Sequence, residues 1–235
     1  MKDKIRKEYR RRIRLVLKSE LNARNKIAAI NTLAIPVVTY SIGIIDWKLD
    51  EIQSLDTGTR KLLHMYRMHA KKADVDRLYL PIQEGGRGLT SLEREYKATV
   101  IGLATYMQYK QDGHIEAVKR HQMAKNLYSI TKENTKYLDE IDGIEVRNRE
   151  CSATERAKEI KVKYKAGYNK KLNQKWRSKP QHGQFPKLID RDNVDKEQSF
   201  QWMKHSGLKG ETESLIISAQ DQAITTRWQS KHIHH

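Results

Sequence analysis

Apolar residues recur at three- and four-residue steps in nearly every apolar stretch of this chain, and alternation is scarce, so the fold it can build is a packing of helices. The clearest case is residues 90–112. Thr90 and Glu93 stand at the spacing of a capping box, and Leu92, Tyr96, Val100, Leu103 and Met107 follow as one stripe. A first helix carries Ile5, Tyr9, Ile13, Val16, Leu17 and Leu21 on one face and Arg6, Arg10, Arg14 and Lys18 in a second row at four-residue steps. From Asn22 to Ile45, near-helical spacing of Ile27, Ile30, Leu33, Val37 and Val38 meets Pro36, which removes a backbone donor; two short helices or one kinked helix result.

Asp46 is placed to cap a third helix with Leu49, Ile52, Leu55, Leu62, Leu63 and Tyr66 on its buried stripe. Its cationic end, Arg60, Lys61, Arg67, Lys71 and Lys72, is only partly explained by the helix dipole. After a short mixed stretch from Asp74 to Pro81, Gly85, Gly86 and Gly88 demand a loop. A second capping box, Ser152 and Glu155, opens a helix with Ala157, Ile160, Tyr164, Tyr168, Leu172 and Trp176 on one slanting face. Residues 145–179 hold 12 Lys or Arg against 4 Glu, which makes that helix basic. An irregular connector spans Pro180 to Asp195. Phe200, Trp202 and Met203 precede a turn at Gly207 and Gly210, and a last helix carries Leu215, Ile216, Ala219, Ala223 and Trp228. The expected architecture is all-α: a helical bundle over 1–112, a polar linker with short helices over 113–150, and a looser basic helical connector over 151–235 with a frayed tail.

Charge decides the function class. The chain has 46 Lys plus Arg and 29 Asp plus Glu, a formal net charge of +17, and such an excess is most easily neutralised by a polyanion. The single cysteine, Cys151, rules out an internal disulfide and a cysteine-rich zinc module. No apolar run has the length of a membrane span, and the start, Met1-Lys2-Asp3-Lys4, offers no apolar signal stretch, so an intracellular, nuclear or cytoplasmic, location without a membrane partner is expected.

Chemistry is harder to find. A polymerase palm needs paired aspartates to hold two metal ions, and the chain contains no Asp-Asp pair. Asp190, Asp192 and Asp195 are spaced loosely like a calcium loop, but Asp195 stands where a glycine is required, and a solvated loop is the better reading. Backbone amides of Gly85-Gly86-Arg87-Gly88 could meet a phosphate, although the lysine and helix context of a Walker loop is missing and a structural turn fits better. His232, His234 and His235 read as tail rather than metal site. Neither a catalytic centre nor a cofactor is expected.

Three segments resemble a known family. Ile35-Pro36-Val37-Val38-Thr39-Tyr40-Ser41 followed by Trp47 is similar to the helix after the palm in LINE-type, non-LTR retrotransposon reverse transcriptases. Asp74-Val75-Asp76-Arg77-Leu78-Tyr79-Leu80-Pro81 with Gly85-Gly86-Arg87-Gly88-Leu89 resembles the segment closing the thumb in the site-specific branch with a C-terminal endonuclease. Leu208 to Glu213, Ala219 to Ala223 and Thr226-Arg227 resemble the connector before that family's zinc knuckle. The resemblance implies a thumb-like bundle and connector, without the palm upstream or the knuckle and nuclease downstream.

A chain of this kind is expected to grip a primer–template duplex through phosphates, without polymerase activity of its own. Its partners are RNA, DNA or an RNA–DNA hybrid, and a polymerase palm on another chain is a further partner the resemblance implies. The residues expected at phosphates are Arg6, Arg10, Arg11, Arg14, Arg60, Arg67 and Arg87 in the bundle, with Lys158, Lys161, Lys165, Lys171 and Lys175 extending the track. The alternative is a truncated retro-element remnant with a structural role or none.

Overall fold

A computed structural model describes residues 1–124, 130–141, 151–205 and 207–224. In chain order the elements are α1 (Lys2–Lys18), α2 (Ala23–Ala29), a π-turn (Ile30–Ala34), α3 (Ile35–Thr39), α4 (Leu49–Met65), α5 (Val75–Tyr79), a 3₁₀ turn (Ile82–Glu84), α6 (Leu92–Tyr109) and α7 (Gly113–Ala124). They continue with α8 (Ile130–Leu138), α9 (Ala153–Ser178), α10 (Gln184–Ile189), α11 (Lys196–His205) and α12 (Gly210–Gln220). The fold is all-α: among the described residues there is no strand, and an isolated bridge joins Ile42 to Ile45.

Local chemistry explains where the helices begin. Asn22 caps α2 by accepting from the Asn25 amide at 2.8 Å, and Ser152 and Glu155 form the reciprocal capping box of α9, with the Glu155 carboxylate accepting from the Ser152 amide at 2.9 Å. The cap of α6 is Ser91, accepting from the Arg94 amide, one residue later than Thr90; the Thr90 amide instead donates to the Asn31 side chain. Asp46 likewise does not cap α4, because the Lys48 amide is bound by Glu51 from inside the helix. Pro36 does not separate the segment into two helices. Its missing N–H is preceded by a wide turn in which the Ile35 amide reaches back to the Ile30 carbonyl, so α2, the π-turn and α3 run on without a gap.

The chain divides into two compact units that are discontinuous in sequence, unlike the three consecutive segments expected. The first comprises Met1–Val37, Leu55–Thr90 and Leu172–His235, and the second Val38–Ser54 and Ser91–Lys171; α3, α4 and α9 contribute residues to both.

In the first unit α1 buries Tyr9, Ile13, Val16 and Leu17, and α2 and its π-turn bury Ala23, Ile27, Ile30 and Ala34. The Tyr9 hydroxyl meets Thr59 of α4 at 2.7 Å, which satisfies a polar atom inside an apolar layer. A smaller cluster gathers Ile189, Phe200 and Met203, flanked by Ile82, Phe185, Val194 and Trp202. In the second unit α6 and α8 pack through Tyr96 and Tyr137, edge to face at 6.3 Å between centroids, and α9 adds Ala157, Ile160 and Tyr164. The Lys97 ammonium is buried there between Glu93 at 2.8 Å and Glu140 at 2.7 Å, and the stretch expected as a linker thus supplies core.

The face of α12 that points inward is not its apolar one. Gly210, Glu213, Ser214, Ile217 and Ser218 are buried, with Asp221 just beyond the helix, while Leu215 is 59% exposed. The cause is a pair of buried arginines. Arg77 and Asp221, 1% and 0% exposed, meet at 2.8 Å, and Arg87 and Glu213 meet at 2.5 Å. Arg77 also donates to Gly85 O at 2.8 Å and to the Gln220 side chain, and its guanidinium lies between the rings of Trp176 and Phe185, 5.3 and 5.0 Å from their centroids. Burial disfavours the charged forms of both Arg77 and Asp221, and each charge opposes that effect on the other.

Removing one member of such a pair leaves an uncompensated charge in the interior. Asp221→Asn and Arg77→Met should each lower stability by about 3 kcal/mol in urea titrations, and the double variant should lose less than the two single losses combined.

Candidate nucleic-acid interface

The twelve cations expected at phosphates have different situations in the structure. On α1, Arg10 and Arg14 are exposed, and no carboxylate pairs with either among the described residues. Arg6 is bound to Asp3 at 3.0 Å. Arg11 forks onto Glu8 with bonds of 2.7 and 2.8 Å, and Arg12 shares the same carboxylate while donating to Leu33 O at 2.8 Å. Bonds to Arg11 and Arg12 hold the Glu8 carboxyl down to about 2.

Arg60 is half-buried and donates to Tyr79 Oη at 2.9 Å and Thr57 Oγ1 at 2.8 Å. Arg67, in a left-handed conformation after α4, is exposed and loosely paired with Glu211 at 3.4 Å. Arg87 does not reach the surface: Glu213 takes its Nε and Nη2, and the Met68 carbonyl takes Nη1. Lys175 stands near the surface with Asp76 at 3.1 Å.

Of the four α9 lysines expected at phosphates in the second unit, two are engaged by protein acceptors. Lys165 pairs with Glu95 at 2.6 Å, Lys171 donates to Glu140 O at 2.9 Å, and Lys161 is half-buried, with burial pushing its pKa below the usual lysine range. Lys158 is exposed. The helix densest in lysine therefore offers less open charge than its composition suggests. A basic count says nothing about which carboxylates a fold will set beside it.

The glycine loop is spent on backbone geometry. Gly85 and Gly88 adopt φ of 84° and 71°, and a Cβ at Gly86 would overlap the Leu80 carbonyl. The loop amides donate inward, Gly85 to Ile82 O at 3.0 Å, Gly86 to Pro81 O at 3.0 Å, Arg87 to Arg77 O at 3.1 Å and Gly88 to Leu80 O at 2.8 Å. That leaves none of these amides for a phosphate, as a structural turn requires.

Asp190 is tied to Arg177 and Lys196, and Asp195 caps α11 by accepting from the Gln198 amide at 3.0 Å. Among the described residues no group of three or more His, Cys, Asp or Glu side chains could hold a metal ion. Nor is any helix among them long and apolar enough to cross a membrane. Thr226, Arg227, Trp228 and the terminal histidines lie outside the described residues.

What periodicity missed is an acidic set that binds the chain's own cations. Asp74 caps α5 through the Arg77 amide at 3.0 Å, and its other oxygen meets Lys179 and, at 2.9 Å, His182. Asp76 takes Lys175 and, at 2.6 Å, Lys179. Burial works against ionisation of Asp74, yet these donors outweigh it and hold its pKa below the usual value. A signal did exist in the sequence: Glu213, Ile217 and Asp221 stand four residues apart on one helical face, which is the spacing needed to answer two buried arginines.

Neither a family model, nor a curated protein, nor a solved structure matches this chain.

His69, buried beside Arg87, has no partner for Nε2 among the described residues, and burial, reinforced by the Arg87 charge, lowers its pKa to about 4. An unfolded histidine titrates near 6.5, so the unfolded chain takes up this proton first and acid favours unfolding. The stabilisation is present above pH 6.5 and is lost as the pH falls through about 4. Urea midpoints should decline across that interval, and His69→Gln should flatten the decline.

Proposed function

We propose that this chain is a nucleic-acid-binding fragment, corresponding to the thumb and connector of a retrotransposon RNA-directed DNA polymerase, that grips a primer–template duplex through its phosphates and carries no polymerase centre of its own. The observation that carries the reading is the open charge on α1, where Lys7, Arg10, Arg14 and Lys18 are exposed and no carboxylate pairs with them among the described residues. The net charge of +17 supports it, because a polyanion releases counterions when such side chains replace them. The three sequence segments that resemble the reverse-transcriptase thumb and connector support the choice of partner. An intracellular setting follows from that partner.

In this reading the contacts are positional and read no sequence. Arg11 and Arg14 are the working residues, with Arg10, Lys158, Arg67 and Lys175 as outlying contacts. Arg87 and Arg60 act inside the fold instead, since they are buried and half-buried and their donors are taken by protein acceptors.

Fluorescence anisotropy with a labelled RNA–DNA hybrid at several salt concentrations tests this directly. The logarithm of the association constant should fall by about 0.9 per phosphate contact for each decade of salt on a duplex, and Arg10, Arg11 and Arg14 changed together to alanine should make that slope shallower. Absence of saturable binding at low salt would leave a structural remnant as the better account.

A further inference from the structure

The basic residues of α1 do not form one row. Steps of four residues advance about 40° each around a helix of 3.6 residues per turn, so a line from Arg6 through Arg10 and Arg14 to Lys18 winds about 120° round the surface. Its first member accordingly sits on the flank, tied to Asp3 and only 29% exposed. Steps of four, three and four residues close on themselves instead, because eleven residues make almost three whole turns. Lys7, Arg11, Arg14 and Lys18 occupy that line, and all four are exposed.

The acids of α1 lie elsewhere in their commitments: Asp3 holds Arg6, and Glu8 holds Arg11 and Arg12. Lys7, Arg14 and Lys18 thus project as an uncompensated ridge, with Arg11 beside them partly offset by Glu8 and with Lys4 and Arg10 about 60° away on either flank. The helix dipole accounts for Lys18 in the last turn, but not for Lys7 or Arg14. On the opposite side Tyr9, Ile13, Val16 and Leu17 are buried, which fixes the rotation of the helix and keeps the ridge outward.

Resting on the nucleic-acid reading above, we infer that this ridge, about 16 Å long, lies along the backbone of a single strand and meets its consecutive phosphates, rather than bridging the two strands of a duplex. Successive ridge cations are about 4.5–6 Å apart along the axis. That spacing exceeds the rise of about 3.4 Å per nucleotide on one duplex strand and suits a ridge inclined along the strand's winding path, or a more extended single strand. The four ridge cations lie within about 60° of one another round the helix, so the ridge by itself traces one line rather than two. The ligand is therefore any RNA or DNA strand with at least three or four accessible phosphates in succession, paired or unpaired.

The test uses the full chain and two double variants that remove equal charge from the same helix, Arg14→Ala with Lys18→Ala on the ridge and Lys4→Ala with Arg10→Ala on the flanks. Far-UV circular dichroism checks that helicity is kept, and binding is read by anisotropy against salt with a single-stranded RNA and with an RNA–DNA hybrid of equal length. The ridge variant should reduce the slope by about 1.8 on the hybrid and about 1.4 on the single strand, and the flank variant by less than half as much on each. Equal losses from ridge and flank would overturn the ridge and leave a diffuse cationic cloud, with nucleic-acid binding itself still standing. A ridge variant impaired on the hybrid alone would overturn the single-strand path. Wild-type chain that binds neither ligand would overturn both the ridge and the functional reading beneath it.

Discussion

Two arginines without access to water organise the first unit. Arg77 precedes the glycine loop and Arg87 lies within it, and each must find an anion in the interior because a buried guanidinium cannot shed its proton. Asp221 and Glu213 supply the anions, and their spacing of eight residues on a helical face dictates which side of α12 turns inward. Once α12 is docked this way, Ser214 and Ser218 follow it into the interior and Leu215 is left outside. Electrostatic necessity has outranked apolar burial, since leaving Leu215 exposed costs about 2 kcal/mol whereas an unpaired buried charge costs more.

The same economy governs the surface charge. Asp74 and Asp76 gather Lys175, Lys179 and His182 around the N-terminus of α5, while Glu95 and Glu140 engage Lys165 and Lys171. Part of the positive charge that dominates the composition is thereby engaged within the fold. Among the described residues α1 keeps several exposed cations on one helix, because its two acids face a larger number of bases and are already taken. Net charge proposes a polyanionic partner; the distribution of carboxylates decides which helix could meet it.

Much of the fold was legible because it depends on short-range order. The stripes of α1, α4, α6 and α9, the capping box at Ser152, and the unbroken run of helix through Pro36 each follow from residues within a turn or two of one another. Positions that depend on distant partners were not legible. Asp46 yielded its capping role to Glu51, Thr90 turned to Asn31, and residues 130–141 joined a core through Tyr137 although their composition is polar. Among the residues expected at phosphates, the exposure of Arg10 and Arg14 could be read from periodicity alone, because an exposed face is defined by the buried one opposite. Arg87 could not, since a polar residue in a glycine loop looks the same whether it faces water or Glu213.

The amino-acid sequence by itself determined that the chain is helical, where most helices lie, and that it carries a large excess of positive charge, because helical period, capping and charge count are local or additive properties. Tertiary structure alone decided which cations remain open and which face of α12 is buried. Ion pairing in the interior couples residues more than a hundred positions apart, such as Arg77 with Asp221 and Arg87 with Glu213, and no local pattern contains that information.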